Sequence, residues 1–417
     1  MDIIRIATAG SVDDGKSTLI GRLLYDTKSI TKDKLEAVEV SSRRKGLDFV
    51  DLSLLTDGLI AEREQGITID VAHIYFATEK RKYIIADTPG HVEYTRNMIT
   101  GASNANASIV LIDARNGVVE QTKRHLFISS LLRIETVFVC INKMDLVNFD
   151  EGVFNSIKRE VEEVSEKIGF NGNIYFIPIV AKYGANVVHT AEQMQWYTGK
   201  VLLDYLEELP AHKRNEELPA RFPVQFVIRP HSEEHHDFRG YAGKLISGTL
   251  SVGEEIVLLP SLKRSLIKSM YRTQQPITHS TEGESITVIL QDDIDISRGN
   301  MIVPADAIVP QINNFNATLC WMDEQPVHTG NTYLLQHGVN VVKAKITALQ
   351  SKLHIETMQE ISNISGLMLN DIARVSIKTA KPIFADRYKD NPRNGAFILI
   401  NEFTNNTVAV GFIESFS

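Results

Sequence analysis

Across residues 1–210, short runs of β-branched and other apolar residues alternate with amphipathic stretches, the rhythm of a doubly wound α/β domain. The apolar runs predict strands at Ile3–Ala9, Ile69–Thr78, Lys82–Asp87, Ala107–Asp113, Thr136–Asn142 and Ile174–Ile179. Helices are predicted between them at Lys16–Tyr25, Val92–Gly101, Glu120–Leu132, Phe154–Ile168 and Lys200–Leu209. Around the fourth, Val153, Ile157, Val161, Val164 and Ile168 recur at steps of three and four and line one helical face. Residues 27–67, between the first helix and the second strand, are polar and mixed in charge, and so long a segment is the natural place for a lid.

The polar, proline-bounded stretch Pro210–Pro219 predicts a linker, taken as residues 211–220. Beyond it the period changes to two: Val224, Phe226 and Ile228 share one face of a strand. Strands flank the turn Val252-Gly253-Glu254, and others follow at Thr332–Gln336, Val339–Ile346, Ala373–Thr379, Ala396–Asn401 and Thr407–Ile413. Two small β-barrels are expected, over 221–309 and 310–417, meeting near Pro304–Pro310.

Composition narrows the class. The chain has 417 residues, 43% hydrophobic and 23% charged, as in soluble globular proteins of two or three domains. No run approaches the roughly 20 apolar residues of a bilayer span, so no membrane partner is expected. The first residues do not read as a signal peptide, and a cytoplasmic location is expected. Cys140 and Cys320 lie in separate apolar runs, without a disulfide framework or a CxxC metal site. A net charge of -8 argues against nucleic acid as the main partner, since phosphate neutralisation needs surplus Lys and Arg.

Three motifs then carry chemistry. Gly10-Ser11-Val12-Asp13-Asp14-Gly15-Lys16-Ser17 fits GxxxxGK[ST], follows a predicted strand and, with Thr18, opens a predicted helix. Such a loop curls its N–H groups and the helix N-terminus toward phosphate oxygens. Lys16 is expected to reach the β- and γ-phosphates, and the Ser17 hydroxyl to ligate Mg²⁺. The second motif, Asp87-Thr88-Pro89-Gly90-His91, ends an apolar strand. Asp87 is expected to hold Mg²⁺ mostly through water, and the Gly90 N–H to contact the γ-phosphate. Taken alone it would be a good β-turn.

The third, Asn142-Lys143-Met144-Asp145, follows another apolar strand. Guanine presents N1–H and N2–H₂ along one edge, two donors that one carboxylate accepts together, and Asp145 is the expected acceptor. Asn142 is expected to tie the loops and bond N7, with the stem of Lys143 against the ring. The Ala181 N–H, after the sixth strand, is the candidate donor to guanine O6, although Val180 supplies no hydroxyl to brace that loop. Thr68 is the candidate for a lid residue that closes on Mg²⁺ and phosphate, and His91 for the group that positions the attacking water. In this order the motifs describe a GTPase with GTP and Mg²⁺ at its site.

These residues resemble the translation-factor class of GTPases, the elongation factor Tu superfamily: Gly66-Ile67-Thr68-Ile69, Asp87–His91, Asn97-Met98 and two trailing β-domains. Asp14 stands where elongation factors carry His. That residue, with Leu59–Ala72, Thr95–Ser103, Trp196-Tyr197-Thr198-Gly199, Asp237–Gly243 and Asn394–Ile400, is similar to the GTPase subunit of the two-subunit bacterial sulfate adenylyltransferase. The resemblance implies an α/β P-loop GTPase domain followed by two β-barrels, and a smaller catalytic partner subunit that joins ATP and sulfate into adenylyl sulfate and pyrophosphate. GTP hydrolysis on this chain would be coupled to that synthesis. Neither a Ser-Gly-Gly-x-Asp-Ser loop nor a His-x-x-His motif occurs, so the adenylyl chemistry is expected on another chain, and the sequence ends at Ser417 without a fused kinase P-loop. Val180 replaces the family's usual Ser, and His231–His236 reads as an inserted, solvated loop, with metal binding the lesser alternative. Two rival readings are a factor delivering aminoacyl-tRNA or a similar RNA to a ribosome, and a GTP-binding scaffold with negligible hydrolysis.

Overall fold

The computed structural model describes residues 2–44, 46, 50–55, 70–91, 95–210, 217–229 and 239–416. The chain divides into two compact units, 1–212 with 354–359, and 213–353 with 360–417.

In the first unit six strands form one sheet: β1 (Ile3–Ala9), β2 (Ala72–Ala77), β3 (Lys82–Asp87), β4 (Ala107–Asp113), β5 (Thr136–Asn142) and β6 (Asn173–Pro178). Their order is β2-β3-β1-β4-β5-β6, parallel except for the antiparallel edge strand β2. Every residue of β4 and β5 is buried, which is why both read in sequence as unbroken apolar runs. The helices are α1 (Lys16–Asp26), α2 (Lys32–Arg44), α3 (Thr95–Ala102), α4 (Glu120–Leu131), α5 (Glu151–Lys167) and α6 (Leu202–Glu208). Leu19, Ile20 and Leu23 of α1 and Leu202 and Leu206 of α6 pack with Ile4, Ile6, Ile85, Ile109, Leu111, Phe138 and Cys140 of the sheet in one core. At roughly 1.5–3 kcal/mol per buried large aliphatic side chain, this packing fixes α1 and hence the loop in front of it.

Two departures from the expected pattern have a clear local cause. Helix α5 begins at Glu151 because Asp150 caps it, accepting from the N–H groups of Gly152 and Val153 at 2.5 and 3.2 Å. The expected lid contains α2 and a 3₁₀ turn at Leu52–Leu55. α2 buries only Val38 and Ser42, so its hydrophobic stripe is faint. Asp33 in its first turn and Arg43 and Arg44 in its last complement the helix dipole. Thr68 and the rest of 56–69 lie outside the described residues, as does the His231–His236 loop.

Among the described residues of the second unit, two six-stranded antiparallel rings close. The first runs Glu255–Leu259, Met301–Pro304, Phe222–Ile228, Gly240–Lys244, Ser285–Leu290 and Lys263–Arg272, which returns to Glu255–Leu259. The second runs Thr332–His337, Ala396–Ile400, Thr407–Phe416, Gln311–Trp321, Ile372–Phe384 and Asn340–His354, which returns to Thr332–His337. Closure removes the free sheet edges, and alternate side chains such as Ile256 and Leu258, or Phe315, Ala317 and Leu319, fill each interior. Between the rings Val257, Leu259, Met301, Val303 and Val309 form a third apolar cluster with Phe384 against it. Among the described residues no helix is long and apolar enough to cross a membrane.

Candidate functional site

In parallel sheets of this kind, ligands bind where the carboxyl ends of the strands meet a reversal of strand order. The register brings Thr8 beside Asp87 and Asp113 beside Asn142, so the loops after β1, β3, β4 and β5 open on one edge.

The loop after β1 closes on itself. The Ser11 N–H donates to Asp14 Oδ2 at 2.6 Å, and the Lys16 ammonium donates to the carbonyls of Gly10 and Ser11 at 2.7 and 3.0 Å. Gly15, at φ 96°, caps α1 without a side chain, and among the described residues no side-chain cap bond reaches that first turn. An added Cβ on Gly15 would sit 2.5 Å from Asn142 Nδ2. Burial pulls the Lys16 ammonium below its usual range, while Asp87, Asp14 and Asp13 pull the other way. Burial likewise lifts the Asp14 carboxyl above its usual range, partly offset by the Ser11 N–H and Lys16.

The 87–90 turn packs against that loop. Thr8 Oγ1 donates to Asp87 Oδ1 at 3.1 Å, and Thr88 Oγ1 donates to the Thr8 carbonyl. Gly90 lies so close to the loop that a Cβ there would stand 2.3 Å from Gly10 O and 2.5 Å from Lys16 Nζ. Residues 87–90, Pro89 included, are buried, whereas His91 is exposed. The Gln121 amide donates to Gly90 O at 3.0 Å, and Arg124 holds Gln121 Oε1 at 3.2 Å, so α4 supports the turn. Next on α4, His125 is buried, and among the described residues its Nδ1 has no hydrogen-bond partner. Burial, with the charges of Lys16 and Arg124, holds its imidazole down at about 3.

The third loop joins the other two through Asn142. Its Nδ2 donates to Asp14 O at 2.8 Å, and its Oδ1 accepts the Ala181 N–H at 3.0 Å. The Ala181 N–H, the candidate donor to guanine O6, thus lies against the Asn142 carboxamide, next to Val180, which has no hydroxyl. Lys143, at φ 61°, donates to Asp13 O at 2.5 Å and pairs with Asp113 Oδ2 at 2.9 Å. Met144 is fully buried beneath the loop, and Asp145 is half-buried at its rim.

Sequence reasoning missed Asp113, Gln121 and Arg22. Asp113 was visible only as the polar end of an apolar strand. Arg22 had no signal, since its bonds to the Ala181 and Lys182 carbonyls span 159 and 160 residues.

The residues fit a phosphate and a hard cation. Among the described residues the Ser11 hydroxyl is buried without a hydrogen-bond partner, the Gly90 cradle tolerates no side chain, and Ser17 and Asp87 offer oxygen donors, as Mg²⁺ requires. No cluster of three or more His, Cys, Asp or Glu occurs among the described residues that would suggest another metal.

Residues 1–212 match the family model for the elongation factor Tu GTP binding domain, and residues 314–414 that of the GTP-eEF1A C-terminal domain-like family. Fold and site therefore define a GTPase of the elongation-factor type, with GTP as its nucleotide. Whole-chain comparison is more specific. Sulfate adenylyltransferase subunit 1 of Bacteroides fragilis is 47% identical over 414 residues, covering 99% of this chain and 86% of that protein. The subunit 1 of Cellvibrio japonicus is 46% identical with the same coverage. The bifunctional enzyme CysN/CysC of Mycobacterium tuberculosis is 46% identical over 412 residues, 99% of this chain and 67% of that one. The chain belongs to the sulfate adenylyltransferase subunit 1 family.

Proposed function

We propose that this chain couples GTP hydrolysis to the making of adenylyl sulfate and pyrophosphate from ATP and sulfate on a separate, smaller catalytic subunit in the cytoplasm. One observation carries this reading: a GTPase fold with three interlocked nucleotide loops lies in a chain aligned over 99% of its length with sulfate adenylyltransferase subunits. The RNA-delivery alternative is not favoured, because the similarity to those subunits extends through both barrels. We divide the chain into a GTP-binding domain at 1–210, a linker at 211–220 and barrels at 221–309 and 310–417.

In this reading the main-chain N–H groups of Gly10 through Thr18 cradle the phosphates, with Lys16 bridging the β and γ groups. The closed loop means that Lys16 exchanges its carbonyl partners for phosphate oxygens, an ammonium already stripped of water meeting a stronger anion. Ser17, Asp87 and Thr68 would hold Mg²⁺, which when bound neutralises charge between the β- and γ-phosphates. The Gly90 N–H contacts the γ-phosphate, while Thr88 and Pro89 set its approach. His91, exposed beside it, positions the attacking water. Asp145 accepts guanine N1–H and N2–H₂, with Lys143 held along the ring.

The test combines the chain with its catalytic partner and counts GTP hydrolysed per adenylyl sulfate formed. A fixed ratio is expected. Lys16→Ala should abolish GTP turnover and GTP-dependent stimulation together, leaving the unstimulated rate. Stimulation that survives Lys16→Ala would refute coupling through this site.

A further inference from the structure

Hydrogen bonds spanning 159 and 160 residues join α1 to the loop after β6, beside the position where Val180 offers no hydroxyl. We propose that Arg22 is a positioning residue for guanine-nucleotide binding, clamping the main chain of residues 181–182 to the phosphate-loop helix in place of the absent hydroxyl brace. The inference rests on the guanine-nucleotide reading above.

Arg22 lies on α1, whose first residues are Lys16 and Ser17. Its Nε donates to Ala181 O at 3.3 Å and its Nη2 to Lys182 O. Nη1 is held by Asp26 Oδ1 at 3.5 Å, and the side chain is 16% exposed. A planar fork of N–H groups suits two successive carbonyls, and a hydrogen bond from a charged donor is stronger than a neutral one. Val180 itself is buried and contributes only hydrocarbon. Its N–H goes to Ala185 O, and its carbonyl accepts from the N–H groups of Tyr183 and Gly184.

With Ala181 N–H on Asn142, and Asn142 on Asp14 O, the bonds close a circuit: α1, Arg22, the 181–182 loop, Asn142, the phosphate loop and back to α1. The loop on the base side therefore cannot swing out without pulling on the helix that presents the phosphate-binding N–H groups. Such preorganisation lowers the cost of ordering on binding and slows release.

The experiment measures dissociation of N-methylanthraniloyl GDP from the loaded, full-length protein, so that only folded molecules are read. Arg22→Met, which keeps most of the stem, should release it about tenfold faster, as expected for losing charged hydrogen bonds. Arg22→Lys, which keeps the charge but not the fork, should release it at least about threefold faster. Adding Val180→Ser to Arg22→Met should recover at least about threefold of the loss, because a hydroxyl again supports the loop. Native release rates in both Arg22→Met and Arg22→Lys would overturn the proposal. So would a loss that Val180→Ser does not relieve, since Arg22 would then only support the helix. Asp145→Asn serves as an independent arm: retained guanosine preference there would sink the base reading, whatever the Arg22 variants do.

Discussion

A carboxylate selects a purine only if its position is set by something other than the ligand. Asp145 is half-buried on a loop whose neighbours are all tied down: Asn142 to Asp14 and Ala181, Lys143 to Asp13 and Asp113, and Met144 in the core. With the carboxylate so anchored, a base that lacks paired donors leaves it unpartnered at the cost of desolvation. Asp145→Asn should therefore weaken GTP by at least about 100-fold and bring xanthosine triphosphate into the range that GTP occupied, because the new amide donates to the xanthine carbonyl. Competition between the two nucleotides for turnover decides it, and unchanged GTP selectivity would remove Asp145 from the base site.

At the scale of elements, the ends of the central strands place the chemistry, and β4 illustrates the forces involved. Asp113 ends β4 almost completely buried, which opposes ionisation. Hydrogen bonds from the Arg115 side chain and N–H and from Lys143 outweigh that burial and hold the carboxyl at about 2. A folded value below the ordinary 3.8 means that the unfolded chain takes up the proton first. The stabilisation, about 2 kcal/mol, is thus present above pH ~4 and is lost as the pH falls toward ~2. Asp113→Asn should melt below the native protein at pH 7, with the gap closing over that acid window. A gap independent of pH would mean that the charge contributes nothing.

Across the whole second unit, a buried ion pair joins the two barrels. Arg221 Nε and Nη2 meet Asp386 Oδ2 and Oδ1 at 3.0 and 3.1 Å, and Arg221 Nη1 donates to Ala307 O at 2.8 Å. Asn394 adds a bond to the same carboxylate at 2.9 Å. Removing one partner leaves the other charged and dry, which costs about 3–5 kcal/mol. Asp386→Ala should lower the melting temperature of this unit sharply, and Asp386→Asn, which keeps an acceptor for Arg221, should lower it less. Equal melting temperatures for both variants and the native chain in calorimetry would show that the apolar cluster alone joins the barrels.

The residue pattern alone determined the bounds of the central strands. β1, β3, β4 and β5 begin and end where the apolar runs do, because a short apolar run bounded by Gly, Asp or Asn has few other ways to be buried. It also determined which loops follow those strands, and so which motifs share an edge. The edge strand β2 proved shorter than its run, and α2 was invisible, since a helix burying one Val and one Ser carries almost no periodic signal. Only the tertiary structure decided how the loops hold one another. The partners of Asn142, Lys143 and Arg22 lie 128, 130 and 159 residues away. Whether an amide faces a ligand or a neighbouring loop depends on distances that exist only once the sheet has brought those segments together.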